Sequence, residues 1–97
     1  MPRRVLRLSV GFARSQRQLG LVPGSTAMRS VSATARQLAE DVALPSRADF
    51  ETEFSPGRAY VRRVSGQNLW VLYRFDDTYV DVLAVRESPP VPAEPRD

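Results

Sequence analysis

Between Arg58 and Arg86, runs of β-branched and aromatic residues are broken at short intervals by Gly, Asn and Asp, and no other stretch restricts the fold so tightly. Ala59-Tyr60-Val61-Arg62-Arg63-Val64, Leu69-Trp70-Val71-Leu72-Tyr73-Arg74-Phe75 and Tyr79-Val80-Asp81-Val82-Leu83-Ala84-Val85-Arg86 read as three strands. Ser65-Gly66-Gln67-Asn68 and Asp76-Asp77 supply the two turns, each with residues suited to reversing the chain. A three-stranded antiparallel meander follows.

Side chains alternate across a strand, so a register implies two faces. Pairing Val64 with Leu69 sets Arg62 opposite Val71. A two-residue turn at Asp76-Asp77 pairs Phe75 with Thr78, Tyr73 with Val80 and Val71 with Val82. One face then carries Tyr60, Arg62, Val64, Leu69, Val71, Tyr73, Val80, Val82, Ala84 and Arg86, and is expected to pack on helices. The other carries Ala59, Val61, Arg63, Trp70, Leu72, Arg74, Tyr79, Asp81, Leu83 and Val85. It is expected to stay partly exposed, as interaction surfaces do.

The rest of the chain supplies the helices. Val5-Leu6-Arg7-Leu8 is a short strand. Ser9 is placed to cap a helix to about Leu19, with Gly20 beyond its end. From Thr26 to Val42 the apolar Met28, Val31, Ala35, Leu38 and Val42 recur at steps of three and four, the period of a one-sided helix. Pro45 is the expected stop. Asp49-Phe50-Glu51-Thr52-Glu53-Phe54 reads as an extended edge segment. The sequence thus predicts one α+β domain over residues 1–88: a strand, two helices and the meander. A Pro-rich, mobile tail over 89–97 follows, holding Pro89, Pro90, Pro92 and Pro95.

Composition narrows the chemistry. The 97 residues contain no Cys and no His, which excludes disulfides, thiolate or imidazole catalysis and Cys- or His-ligated metal. Asp76-Asp77 reads as turn chemistry and Asp49, Glu51 and Glu53 as a solvated edge, so no metal and no cofactor is expected. Nor does any apolar run approach the roughly 20 residues of a membrane span. The seven arginines Arg3, Arg4, Arg7, Arg14, Arg17, Arg29 and Arg36 precede the first acid, Glu40. This asymmetry points to an anionic partner for the first half. An acid-poor, Arg- and Ser-rich start also fits a cleaved organelle leader. Its removal would strip the meander of its helices, so the folded reading is preferred.

The element order and the runs Tyr60-Val61-Arg62-Arg63-Val64, Trp70-Val71-Leu72-Tyr73-Arg74-Phe75-Asp76-Asp77 and Val80-Asp81-Val82-Leu83-Ala84-Val85-Arg86 resemble the RelE/ParE superfamily of bacterial toxins. The likeness spans residues 3–88 by element order and 58–86 by motif. It implies a cytoplasmic component of a type II toxin–antitoxin system, silenced by a cognate antitoxin protein. It also implies action on the ribosome and its messenger RNA, or on DNA gyrase. In a metal-independent endoribonuclease of this kind, Arg62, Arg63 and Arg86 would hold the scissile phosphate, with Tyr73 or Glu87 moving a proton. The sequence departs from the family where basic and acid–base residues are expected. Leu69 or Trp70 opens the middle strand, and Arg86-Glu87-Ser88-Pro89-Pro90 follows the last strand with neither His nor Tyr. The alternative is a non-catalytic member that binds a protein partner through Trp70 and Arg74. The plainer roles are an anchoring Trp70, a core Tyr73, and Arg62 and Arg63 paired to Asp81 or Glu53.

Overall fold

A computed structural model of the chain describes residues 3–95. Its elements run β1 (Val5–Leu8), α1 (Val10–Gln18), α2 (Thr26–Glu40), β2 (Phe50–Glu53), β3 (Arg58–Arg63), β4 (Trp70–Phe75) and β5 (Tyr79–Arg86). The α+β class is as expected. The sheet is wider than a three-stranded antiparallel meander: it has five strands in the order β1-β5-β4-β3-β2. β2 extends the antiparallel set beyond β3, and β1 lies parallel to β5, making the sheet mixed. Local turn signals report hairpins only. A parallel partner brought back after two helices and three strands leaves no such signal.

Both helices begin where a serine can satisfy their first free N–H groups. The Ser9 hydroxyl accepts from the Phe12 N–H at 3.0 Å, and the Ser25 hydroxyl accepts from the Met28 N–H at 3.2 Å. α2 ends at Glu40, short of the expected Val42, because Asp41 turns to an extended conformation and its carboxylate accepts the Ala43 N–H. Val42 is accordingly exposed. The face that α2 buries is the expected one, through Val31, Ala35 and Leu38, with Met28 packed beside them.

The β3–β4 register is as read, with Arg62 opposite Val71. The β4–β5 register differs twice. Phe75 pairs with Val80, so the turn sits one residue later, at Asp77-Thr78, where the Asp76 carboxylate accepts the N–H groups of Thr78 and Tyr79. Further along, Tyr73 pairs with Val82 but Leu72 pairs with Ala84, leaving Leu83 as a bulge. The extra residue reverses every later side chain of β5. Val85 therefore joins the helix-side core, while Ala84 and Arg86 move to the opposite face, contrary to the alternation read from the sequence.

The bulge is locked by α1. The Ser9 hydroxyl donates to the Leu83 carbonyl at 3.1 Å, and the Ser15 hydroxyl accepts from the Val85 N–H at 3.0 Å. A Cβ on Gly11 would lie 2.8 Å from the Leu83 carbonyl oxygen, so the helix approaches this closely only with glycine there.

Two apolar clusters result. The larger joins Phe12, Val31, Ala35 and Leu38 of the helices to Val71, Tyr73, Val80, Val82 and Val85 of the sheet and to Val64 and Leu69 of the β3–β4 connection. The smaller, on the far face, is Ala59, Val61, Leu72 and Ala84, flanked by Phe50, Phe54, Trp70 and Leu83. The Pro-rich segment after β5 is extended and meets the outer edge of β2 in an antiparallel bridge between Thr52 and Pro92. Arg96 and Asp97 of that segment lie outside the described residues. Among the described residues no helix is long and apolar enough to cross a membrane.

Candidate functional site

On the helix side of the sheet, one arginine gathers two carboxylates. Asp49 directly precedes β2, and the pairing of Phe50 with Val61 carries it beside Arg62. Arg62 donates from Nε to Asp49 Oδ1 at 3.0 Å and from Nη2 to Asp49 Oδ2 at 2.9 Å. The same Nη2 reaches Asp41 Oδ2, at the end of α2, at 3.2 Å. The Asp49 side chain is fully buried and that of Arg62 nearly so. Asp49 also accepts the Ser46 N–H at 3.0 Å and the Tyr73 hydroxyl. Such a bidentate pair with further donors is the arrangement that makes a buried carboxylate tolerable.

Tyr73 stands one strand over, completely buried, within a cluster of tilted rings formed with Tyr60 and Phe75. Burial, together with the hydrogen bond to Asp49 and its charge, pushes the phenol well above its ordinary value. Burial alone would raise the Asp49 carboxyl, but the hydrogen bonds from Arg62, Tyr73 and Ser46 outweigh it and hold the group below its ordinary value. The cluster is therefore a charged, fully hydrogen-bonded staple between the end of α2, the start of β2, β3 and β4. Tyr73 stays protonated far above neutrality, which suits a donor more than a group that exchanges protons with a substrate.

Arg63, Arg74 and Arg86 lie on the opposite face of the sheet. Cross-strand pairing puts Arg63, Trp70 and Arg86 in one row. Arg63 is exposed, donates to Asn68 Oδ1 at 3.1 Å and holds its guanidinium 5.9 Å from the centre of the Trp70 ring. Arg86 is exposed, and its guanidinium has no hydrogen bond or ion pair among the described residues. Arg74, one of the two residues read as partner-binding, is occupied internally. It donates from Nε to the Arg58 carbonyl at 2.8 Å and from Nη2 to the Phe54 and Pro56 carbonyls at 2.6 Å each, pinning the β2–β3 turn.

The residues expected to act at one phosphate are thus divided by the thickness of the sheet. Arg62 and Tyr73 sit together on the helix side. Arg63 and Arg86 sit together on the far side with Trp70. Sequence reading missed Asp41 and Asp49, the partners that decide what Arg62 does. The one available signal was that an arginine inside a strand of core residues needs a carboxylate. Asp49 stands just ahead of the neighbouring strand. Among the described residues no cluster of His, Cys, Asp and Glu could hold a metal ion. No protein-family model, no curated protein and no solved structure matches the chain.

Proposed function

We propose that the chain is a RelE/ParE-like component of a toxin–antitoxin pair that works by binding a protein partner through the Arg63–Trp70–Arg86 row, not by cutting messenger RNA. One observation carries this reading. Arg62 and Tyr73, two of the groups a ribonuclease would bring to the scissile phosphate, are both bound to Asp49 behind the sheet, away from Arg63 and Arg86. Electrostatic stabilisation of a phosphorane requires preorganised donors converging on one point, and these do not converge. The element order of strand, two helices and antiparallel strands supports the likeness in fold, which does not by itself assign an activity. An aromatic flanked by two exposed guanidiniums is suited to an acidic partner with an apolar anchor. The cognate antitoxin, the ribosome and DNA gyrase are the partners this reading admits.

Induced expression in a bacterial host tests it, with amino-acid incorporation and message integrity followed together. The product of an adjacent reading frame is co-expressed for complex formation. The expected result is intact messages and a complex that Trp70→Ala and Arg86→Glu each weaken. Site-specific message cleavage at ribosomes that disappears in Arg63→Ala would overturn the reading in favour of an endoribonuclease.

A further inference from the structure

Among the described residues, the far face of the sheet is left bare by both helices and is crossed only by the segment after β5. That segment is held to β2 by few bonds. Thr52 donates its hydroxyl to the Val91 carbonyl at 2.7 Å, and the Ala93 N–H donates to the Glu51 carbonyl at 2.8 Å. Since Ala93 directs its N–H inward beside the Thr52–Pro92 bridge, the ring nitrogen of Pro92 faces away from β2. Proline is tolerated on an outer edge in this orientation, and it denies any further strand a donor. The segment therefore seals the sheet edge.

It seals without filling. Between the strap and the sheet lies an open cleft of about 510 Å³, lined by Thr52, Glu53, Phe54, Leu72 and Arg86 on one side and by Pro90 and Val91 of the strap on the other. Val91 is 81% exposed, so its apolar side chain contributes little to filling that space. The strap thus covers Leu72, which is 2% exposed, without the close packing of an interior, and a segment that fills the cleft can better it.

We propose that residues 88–95 are a displaceable cover over a docking groove for an extended partner segment. That segment is proline-free, with apolar side chains alternating with carboxylates. It would pair antiparallel with β2 in the place of the strap, lay an apolar side chain on Phe54 and Leu72, and set a carboxylate against Arg86. The strap itself demonstrates that the β2 edge holds an extended chain in this direction. The Arg86 guanidinium, without a partner among the described residues, supplies the charge preference, since the neighbouring Glu53 already has Arg58 at 3.3 Å. This deepens the protein-binding reading above by naming the chemistry of the segment recognised.

The probe is a fluorescein-labelled octapeptide of alternating valine and glutamate, titrated into the full chain and read by anisotropy, with amide exchange at Ala93 followed in parallel. Saturable binding that speeds exchange at Ala93 is expected. Thr52→Val, which loosens the strap, should bind roughly fivefold more tightly, the equivalent of about one net hydrogen bond. Pro92→Gly loosens the strap without altering any residue of the sheet itself and should act in the same direction. Arg86→Glu should bind about tenfold more weakly. No binding, binding with Ala93 still protected, affinity indifferent to these replacements, or self-association of the chain in place of peptide binding would each overturn the proposal. A failure here leaves the growth and message readouts unaffected, and the reverse also holds.

Discussion

The hydroxyl of Ser15, in the middle of α1, accepts the backbone N–H of Val85 at 3.0 Å across 70 residues of sequence. It does so because the bulge at Leu83 turns Val85 inward. The same hydroxyl donates to the Phe12 carbonyl, so one small side chain satisfies two buried backbone groups and joins helix to sheet. Ser15→Ala should leave the Val85 N–H without a partner and cost about 1–3 kcal/mol. Urea unfolding monitored by Trp70 fluorescence would read this as a lower midpoint at unchanged slope. Wild-type stability in that variant would mean that the bulge finds another donor–acceptor arrangement.

Arg62 and Arg63 are neighbours in sequence with opposite duties. Arg62→Ala strands the buried Asp49 carboxylate and should destabilise the fold by about 3–5 kcal/mol. Arg63→Ala removes an exposed side chain and should stay within about 0.5 kcal/mol of the parent. Equal effects in chemical denaturation would contradict the division of the two arginines between faces. A consequence for assays in cells is that the double replacement reports loss of folding before it reports loss of any contact made by Arg63.

The Asp49 carboxyl is held below its ordinary value, so its contribution to stability is present above the unfolded-state value and lost as pH falls through the folded one. The window lies below about pH 4. Acid unfolding should therefore steepen there, and Asp49→Asn should flatten that limb while starting from lower stability at neutral pH. An unchanged acid limb in Asp49→Asn would place the acid sensitivity elsewhere.

Tyr73 gives the opposite sign at the other end of the scale. Its phenol is raised in the folded state, so its contribution is complete below the unfolded value and declines as pH climbs past about 10. Tyr73→Phe should remove that alkaline decline while costing stability at neutral pH through the donor lost by Asp49. Carbon-13 NMR of the tyrosine Cζ atoms provides the direct check: the Tyr73 signal should remain in its protonated position beyond the pH at which a free tyrosine ionises.

Arg74 stabilises the β2–β3 connection by donating to three backbone carbonyls. Hydrogen bonds from a charged donor are the stronger kind, and Arg74→Leu should lower stability by about 2 kcal/mol or more. The loss should be accompanied by faster amide exchange around Phe54 and Gly57, whose N–H to C=O bond closes the turn. If Arg74→Leu instead weakened only partner binding, the clamp would be dispensable.

Local chemistry determined much of this protein. Ser9 marked a helix start, the three- and four-residue spacing of Val31, Ala35 and Leu38 marked a buried stripe, and Gly66 with Asn68 marked the turn that puts Arg62 opposite Val71. These depend on neighbours within a turn or two of chain, so they are legible in order. The tertiary structure decided the rest. The parallel seat of β1 against β5, the bulge that sends Val85 inward and Arg86 outward, and the gathering of Asp41 and Asp49 on Arg62 all arise between residues far apart in sequence. Each is favoured only once burial makes an unpaired donor or an unpaired charge costly. Alternation along the strands already put Arg62 and Arg63 on opposite faces, but the side on which Arg86 stands, and the carboxylates that Arg62 meets, were settled by that long-range requirement.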